Sequence, residues 1–327
     1  LAAEADYAGG APDPARAAMD KALQARIRLA AHDPEEAWGL AGTWRLRAAL
    51  RAALGDADVA AESLRQARSL AETLYTRAPQ ADAPARFLAH TLLDQADHAL
   101  RTGQMALARD AADAARMMAE RFARTPDAAP AWFAEAGACW DRLGEVARAG
   151  GARAKAQEAF ARALEFRRLA KERAPDEQRY VRGVAAALIK LGEAELEGGA
   201  PNAARTTFAE SVALRLQLAE AAPDAPQPTR ALAAALERLG LAALACGDAA
   251  AARGAWEDEL CLADRFFGDD DLDGARFRAI VHAHLAGAGG PRAEEHRRSA
   301  LARFDELAKA GALSQADAAV RKRLWTG

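Results

Sequence analysis

No apolar run in these 327 residues approaches the roughly 20 that a membrane helix needs. The amino-terminal LAAEADYAGG has neither the basic region nor the apolar stretch of a secretory signal. No membrane is therefore expected among the partners. Cysteine is scarce: Cys139, Cys246 and Cys261 form an odd set without CxxC spacing, which argues against a disulfide framework or a zinc knuckle. Free cysteines in alanine-rich segments are expected as small core residues, and the compartment as a reducing cytoplasm. β-branched residues are few and no window alternates with period two, so a sheet is not expected. The formal net charge of -3 leaves no general basic footprint, and nucleic acid is not an expected partner. No Walker loop, G-x-S-x-G or HExxH is present, so neither a cofactor nor an enzymatic activity is expected.

What is abundant is alanine, followed by leucine, arginine and glutamate, the strongest helix formers. The chain reads as all-α. Glycines at 55, 103, 151, 199 and 247 close apolar-periodic segments and stand 48 residues apart. Other columns keep the same register. Seven before each glycine are Ala48, Ala96, Gly144, Gly192 and Gly240, small residues that let two helices approach. Five after are Ala60, Ala108, Ala156, Ala204 and Ala252; nine after are Leu64, Ala112, Phe160, Phe208 and Trp256. Eleven before are Trp44, Leu92, Trp140, Leu188 and Leu236. Pro79, Pro175, Pro223 and Asp271 follow by 24, with Pro126 one residue early. Each unit is then helix A, a glycine turn where positive φ costs little, helix B, and a proline-marked turn. One hairpin cannot bury its own apolar face, so the copies must stack.

These columns resemble the tetratricopeptide repeat (TPR). LIKLGEAELEGGAPNAARTTFAESVAL (188–214) carries the family's L-G pair at Leu191–Gly192, its alanine at Ala204 and its aromatic at Phe208; 236–260 repeats these as Leu239–Gly240, Ala252 and Trp256. The family unit is about 34 residues, and the extra length here lies mostly in helix B. The family tyrosine of helix A is absent, as at Glu195 and Ala243. The chain is similar to a long-helix bacterial-type variant. The resemblance implies a right-handed α-solenoid of stacked antiparallel hairpins, with about 13–14 helices. It also implies a non-catalytic scaffold or sensor module of a larger bacterial protein, which binds a protein or peptide segment in a concave groove lined by the A helices. An alternative is a solenoid that senses a small molecule or nucleic acid and regulates an upstream kinase, caspase-like protease or nucleotide-switch domain.

The register reaches back to Gly10 and Pro34, so 1–34 reads as the end of a helix A plus a helix B. A start halfway through a hairpin, without an initiator methionine, leads us to expect a piece of a longer polypeptide. Residues 35–272 hold five regular hairpins, 273–311 a degenerate sixth, and 312–327 a capping helix that Ser314 can N-cap.

Several residue sets invite a chemical reading. His90, Asp94 and His98 share one side of a helix at a spacing that suits zinc, but a polar face is the simpler expectation. His282 and His284, with Glu294, Glu295 and His296, are expected as surface polarity, since i and i+2 diverge on a helix. Trp44, Trp140, Phe160, Phe208 and Trp256 are expected as core rather than as a stacking platform. FFGDDDLDG (266–274) starts a calcium loop at Asp269, Asp271 and Asp273, but its twelfth position is Ile280, which cannot coordinate. Asp271 falls in the proline column, where an aspartate caps the next helix. No metal site is expected.

The groove-facing positions lie ten, six and three residues before each turn glycine. They predict a partner-binding face of Arg45, Leu93, Asp97, Asp141, Glu145, Arg148, Ile189, Glu193, Leu196 and Glu237. Its acids with interleaved leucine and isoleucine would suit a basic amphipathic peptide. The competing expectation pairs Arg142 with Glu145 and Lys190 with Glu193 along one helix, a few tenths of a kcal/mol each.

Overall fold

In a computed structural model, residues 12–33, 36–222, 225–266 and 271–326 are described. Gly10, Pro34, Pro223 and Asp269, on which parts of the sequence reading rest, lie outside them. The described residues form fourteen α-helices and no strand. The chain divides into two compact units, the first ending at Arg173 and the second beginning at Ala174. This division cuts across the 35–272 block, whose limits were set by repeat identity rather than by compactness.

The first unit holds α1 (Pro12–His32), α2 (Ala37–Ala53), α3 (Ala57–Arg77), α4 (Asp82–Arg101), α5 (Met105–Ala123), α6 (Pro130–Ala149) and α7 (Arg153–Arg173). The second holds α8 (Gln178–Glu197), α9 (Pro201–Glu220), α10 (Pro226–Ala245), α11 (Ala249–Phe266), α12 (Leu272–Gly287), α13 (Ala293–Lys309) and α14 (Gln315–Thr326). Within each unit every helix packs against its sequence neighbours, as antiparallel pairs. In the first unit the even-numbered helices also touch one another, α2 on α4 and α4 on α6. No described helix is long and apolar enough to cross a membrane.

The helices follow from the apolar spacing. On α8, Tyr180, Val184, Ala187, Leu188 and Leu191 recur every three or four residues and are buried. Much of the core is alanine with no exposed surface, which lets helix axes approach; one large side chain per hairpin then fills the gap. Phe160, Phe208 and Trp256 do this and are essentially inaccessible. Trp44 and Trp140, expected in the core, are only half-buried. The Trp140 Nε1 donates to Glu120 Oε1 at 2.9 Å and its ring lies under the guanidinium groups of Arg116 and Arg162. An indole needs a partner for its N–H, and the buried carboxylate of Glu120 supplies it.

Helix ends are set as the sequence indicates. α3, α5 and α7 stop before Pro79, Pro126 and Pro175. Asp271 caps α12 by accepting the Asp273 N–H at 2.9 Å. Ser314 and Asp317 cap α14 reciprocally: the Asp317 N–H donates to Ser314 Oγ at 3.1 Å, and the Ser314 N–H to Asp317 Oδ2 at 3.0 Å. All five turn glycines have positive φ. At Gly199, φ is +80°; its N–H bonds the Leu196 carbonyl at 3.1 Å and the Ala200 N–H reaches back to Glu195 at 2.9 Å, a Schellman closure.

Two adjacent glycines should therefore respond with opposite signs. Gly199→Ala is expected to lose about 1–2 kcal/mol in urea denaturation, because a Cβ is strained in the left-handed region. Gly198→Ala, at φ -77° on an exposed helix end, should be neutral or gain up to about 1 kcal/mol.

Candidate functional site

The helices α2, α4, α6, α8 and α10 carry the positions expected to face a partner. In the first unit, Arg45 Nε donates to Asp94 Oδ2 on α4 at 2.7 Å, and its guanidinium sits over the Phe87 ring. Asp97 accepts from Arg142 Nη2 on α6 at 3.0 Å. Glu145 accepts from Arg148 Nη2 one turn along the same helix, at 2.6 Å. Leu93 is half-buried. Asp141 departs from the expectation. It is 5% exposed and bonds Arg167 Nη2 on α7 at 2.5 Å, so it ties the two helices of its hairpin together rather than facing outward.

In the second unit, Glu193 accepts from Arg238 Nε on α10 at 2.7 Å. Ile189 and Leu196 are partly buried against the Ala204–Phe208–Ala242 cluster, which draws on α9 of their own hairpin and α10 of the next. Glu237 stays about one-third exposed. Leu241 and Leu244, in the same columns on α10, are 37% and 39% exposed.

The acids of this face are thus largely spent on arginines. Asp97–Arg142 and Glu193–Arg238 occupy identical columns: the acid lies six residues before one turn glycine and the arginine nine before the next, 45 positions on. They staple successive A helices, a pairing between helices that the sequence expectation for Arg142 and Glu193 did not include. Half-exposed pairs of this kind contribute about 0.2–1 kcal/mol each. Reading charge along the repeat columns, rather than along each helix, would have found them. Glu135 on α6 forms a further staple, with His90 Nε2 at 2.6 Å and Arg86 Nη2 at 3.5 Å on α4. Burial opposes its ionisation, but the bonds and charges of His90 and Arg86 outweigh this and hold it below the usual carboxylate range.

The His90–Asp94–His98 set is dispersed. His90 bonds Glu135 and Asp94 bonds Arg45, while His98 is buried, and that desolvation pushes its pKa down. The second histidine set also splits: His282 Nδ1 lies 3.0 Å from His296 Nδ1, whereas His284 stacks on Trp256. Among the described residues, no group of three or more His, Cys, Asp or Glu is placed to hold a metal. Cys139 is buried and its thiol pKa is pushed well up by desolvation, so it is an inert core residue. Cys261, against expectation, is exposed on α11, because its position turns away from the hairpin core.

Two cavities adjoin α10, both within the second unit. One, of about 780 Å³, is lined by Leu241, by Ile280 and Ala283 of α12, and by Val320 and Leu324 of α14. The other, of about 440 Å³, lies between α10 and α12 above Glu259 of α11. Nothing in the sequence reading singled out Glu259; only its place next to the core column at Ala255–Trp256 hinted at burial.

No protein-family model and no curated protein matches the chain. Solved structures do. BtubC (BKLC) from P. vanneervenii aligns over 80% of this chain and 95% of its own, at 20% identity and a TM-score of 0.64. The putative kinesin light chain TPR-like repeats of Podosopora anserina align over 72% and 99%, at 16% identity and a TM-score of 0.52. A Rap protein complexed with competence and sporulation factor aligns over 99% and 94%, at 15% identity and a TM-score of 0.51. At these identities the likeness establishes the fold: this is a TPR-like helical-repeat protein.

Proposed function

We propose that the chain is a non-catalytic docking module, a long-helix variant of the TPR, whose A-helix face in the second unit binds an amphipathic segment of a partner protein. The observation that carries this reading is the pair Leu241 and Leu244. They stand exposed, whereas Leu196, in the same column as Leu244, is partly buried against the Ala204–Phe208–Ala242 cluster, and Leu241 opens onto the larger cavity. An exposed apolar pair beside an apolar cavity is what helix-in-groove recognition uses. The fold supports the reading, since a Rap protein of the same fold is complexed with a factor. The acidic residues contribute less than their number suggests, because Asp97 and Glu193 already have arginine partners.

The test is selection of 15-residue peptides displayed on phage against the purified chain, followed by affinity measurement on variants. Leu241→Glu with Leu244→Glu should weaken selected binders more than tenfold, as two apolar anchors are worth about 1.5–3 kcal/mol each, while Tm stays unchanged. Charge reversal of Asp97, Glu145 and Glu193 should lower Tm more than it lowers affinity. Binders indifferent to the leucine changes would refute the assignment.

A further inference from the structure

Glu259 is 3% exposed, and its Oε2 has no hydrogen-bond partner among the described residues. It forms the floor of the 440 Å³ cleft, whose walls are Ala233 and Ala234 of α10 and Phe277 and Ile280 of α12. An unpartnered buried carboxyl is costly, and a methionine would fill the same space without that cost. At other helix–helix seams Asp141 is matched to Arg167 and Glu193 to Arg238, and the buried Glu195 has the Thr207 hydroxyl; here the neighbouring arginines are engaged with other groups. Arg276 bonds Asp317 and the Ala312 carbonyl, Arg238 bonds Glu193, and Arg278 bonds the Ala263 carbonyl.

The charges around the cleft leave an excess of acid. Glu237 from α10, Glu259 from α11, and Asp271 and Asp273 from α12 line it, against the cations Arg230 and Arg276. Glu237 is near enough that its charge opposes ionisation of Glu259. Glu237 has Arg238 Nη1 at 3.6 Å, so Glu259 is the carboxyl left without a partner, and the group that would relieve it is a compact cation. An ammonium offers three rotatable donors, which suit a single free carboxyl oxygen better than a guanidinium fork that seeks two.

We propose that this cleft binds a primary alkylammonium group, with its hydrocarbon stem against Phe277 and Ile280 and its nitrogen on Glu259 and Glu237. Such a group is carried by a lysine of a docked partner or by a free amine. The site does not depend on the leucine face described above. Burial first, and the Glu237 charge second, push Glu259 up to about 8, so it is mostly protonated at neutral pH. Binding the cation drives that proton off to solvent, and affinity should rise about tenfold per pH unit until Glu259 is ionised without ligand.

The experiment is calorimetry at pH 7 on the intact chain, in two buffers of different ionisation enthalpy. The probes are n-butylammonium, n-butanol as the neutral control, and Nα-acetyl-lysine methylamide as the peptide-borne source. We expect saturable binding of n-butylammonium at about 1–10 mM, release of close to one proton, and no binding of n-butanol. Glu259→Gln, which keeps the shape, should weaken n-butylammonium at least tenfold and abolish proton release; its urea midpoint at pH 7 checks that it is folded. Binding of the lysine amide as well assigns the site to a partner's lysine, and binding of n-butylammonium alone assigns it to a free amine. Absence of saturable binding, or binding that survives Glu259→Gln without proton release, overturns the proposal. Loss of peptide affinity on changing Leu241 and Leu244 tests the docking face alone.

Discussion

Gly192→Ala is expected to destabilise the protein by about 1–2 kcal/mol, although alanine is the better helix former by about 1 kcal/mol. A Cβ built on Gly192 would stand 2.6 Å from Cε1 of Phe208 and 2.8 Å from two further ring atoms. The ring has no room to retreat: it is 1% exposed and packs with Ala204 and with Ala242 of α10. Overpacking of this kind costs about 1–3 kcal/mol or more, which outweighs the gain in helix propensity. A steric cause predicts rescue by a smaller side chain at 208. Gly192→Ala combined with Phe208→Leu should be more stable than the sum of the single changes by about 1–2 kcal/mol, as a coupled pair in contact should be. The first hairpin carries that combination naturally, with Ala48 and Leu64 in the same columns. Urea denaturation of the four proteins decides it. Strict additivity would mean that Gly192 is there for some reason other than the ring.

The same pair of columns shows how far the fold could be read from the sequence. The positions seven before and nine after the turn glycine were legible as a small residue and a large one. The structure adds that their sizes are matched copy by copy. Alanine stands opposite leucine or alanine at 48/64 and 96/112, and glycine opposite an aromatic at 144/160, 192/208 and 240/256, where a Cβ would meet the ring at 2.3–2.6 Å. The turn glycines, the Asp271 cap and the Ser314 cap were readable because each depends on local backbone chemistry. The partner face was less legible because exposure depends on the following hairpin. Leu196 and Leu244 are the same residue in the same column, yet one is partly buried against the neighbouring cluster and the other is 39% exposed. Asp141 was misplaced for a related reason: Arg167 lies on the helix that closes its own hairpin, and nothing in the spacing along α6 records that contact.

Glu259 should give the chain an unusual loss of stability as pH rises. Desolvation is the main cause that lifts its folded pKa, with Glu237 adding to it and Arg238 opposing, to about 8 from the ordinary 4.5. A carboxyl whose pKa is raised in the folded state contributes stability that is fully present below the unfolded pKa and is lost as pH climbs through the folded one. Between about pH 4.5 and 8 the unfolded chain ionises freely while the folded chain must hold the proton. Stability then falls by up to about 1.4 kcal/mol per pH unit, on the order of 5 kcal/mol in total. Other carboxyls act in the opposite sense: Glu135 and Asp317 are held below their usual range, and their contribution is lost as pH falls through their folded values. The comparison that isolates Glu259 is therefore the difference in unfolding free energy between the native sequence and Glu259→Gln, measured in urea from pH 5 to pH 9. Glutamine carries no charge at any of these values, so the variant should gain steadily on the native protein across the series and be clearly the more stable at pH 9. A difference that stays flat with pH would show that Glu259 finds a cation or water to ionise against, and would also remove the reason for expecting proton release when an ammonium enters the cleft.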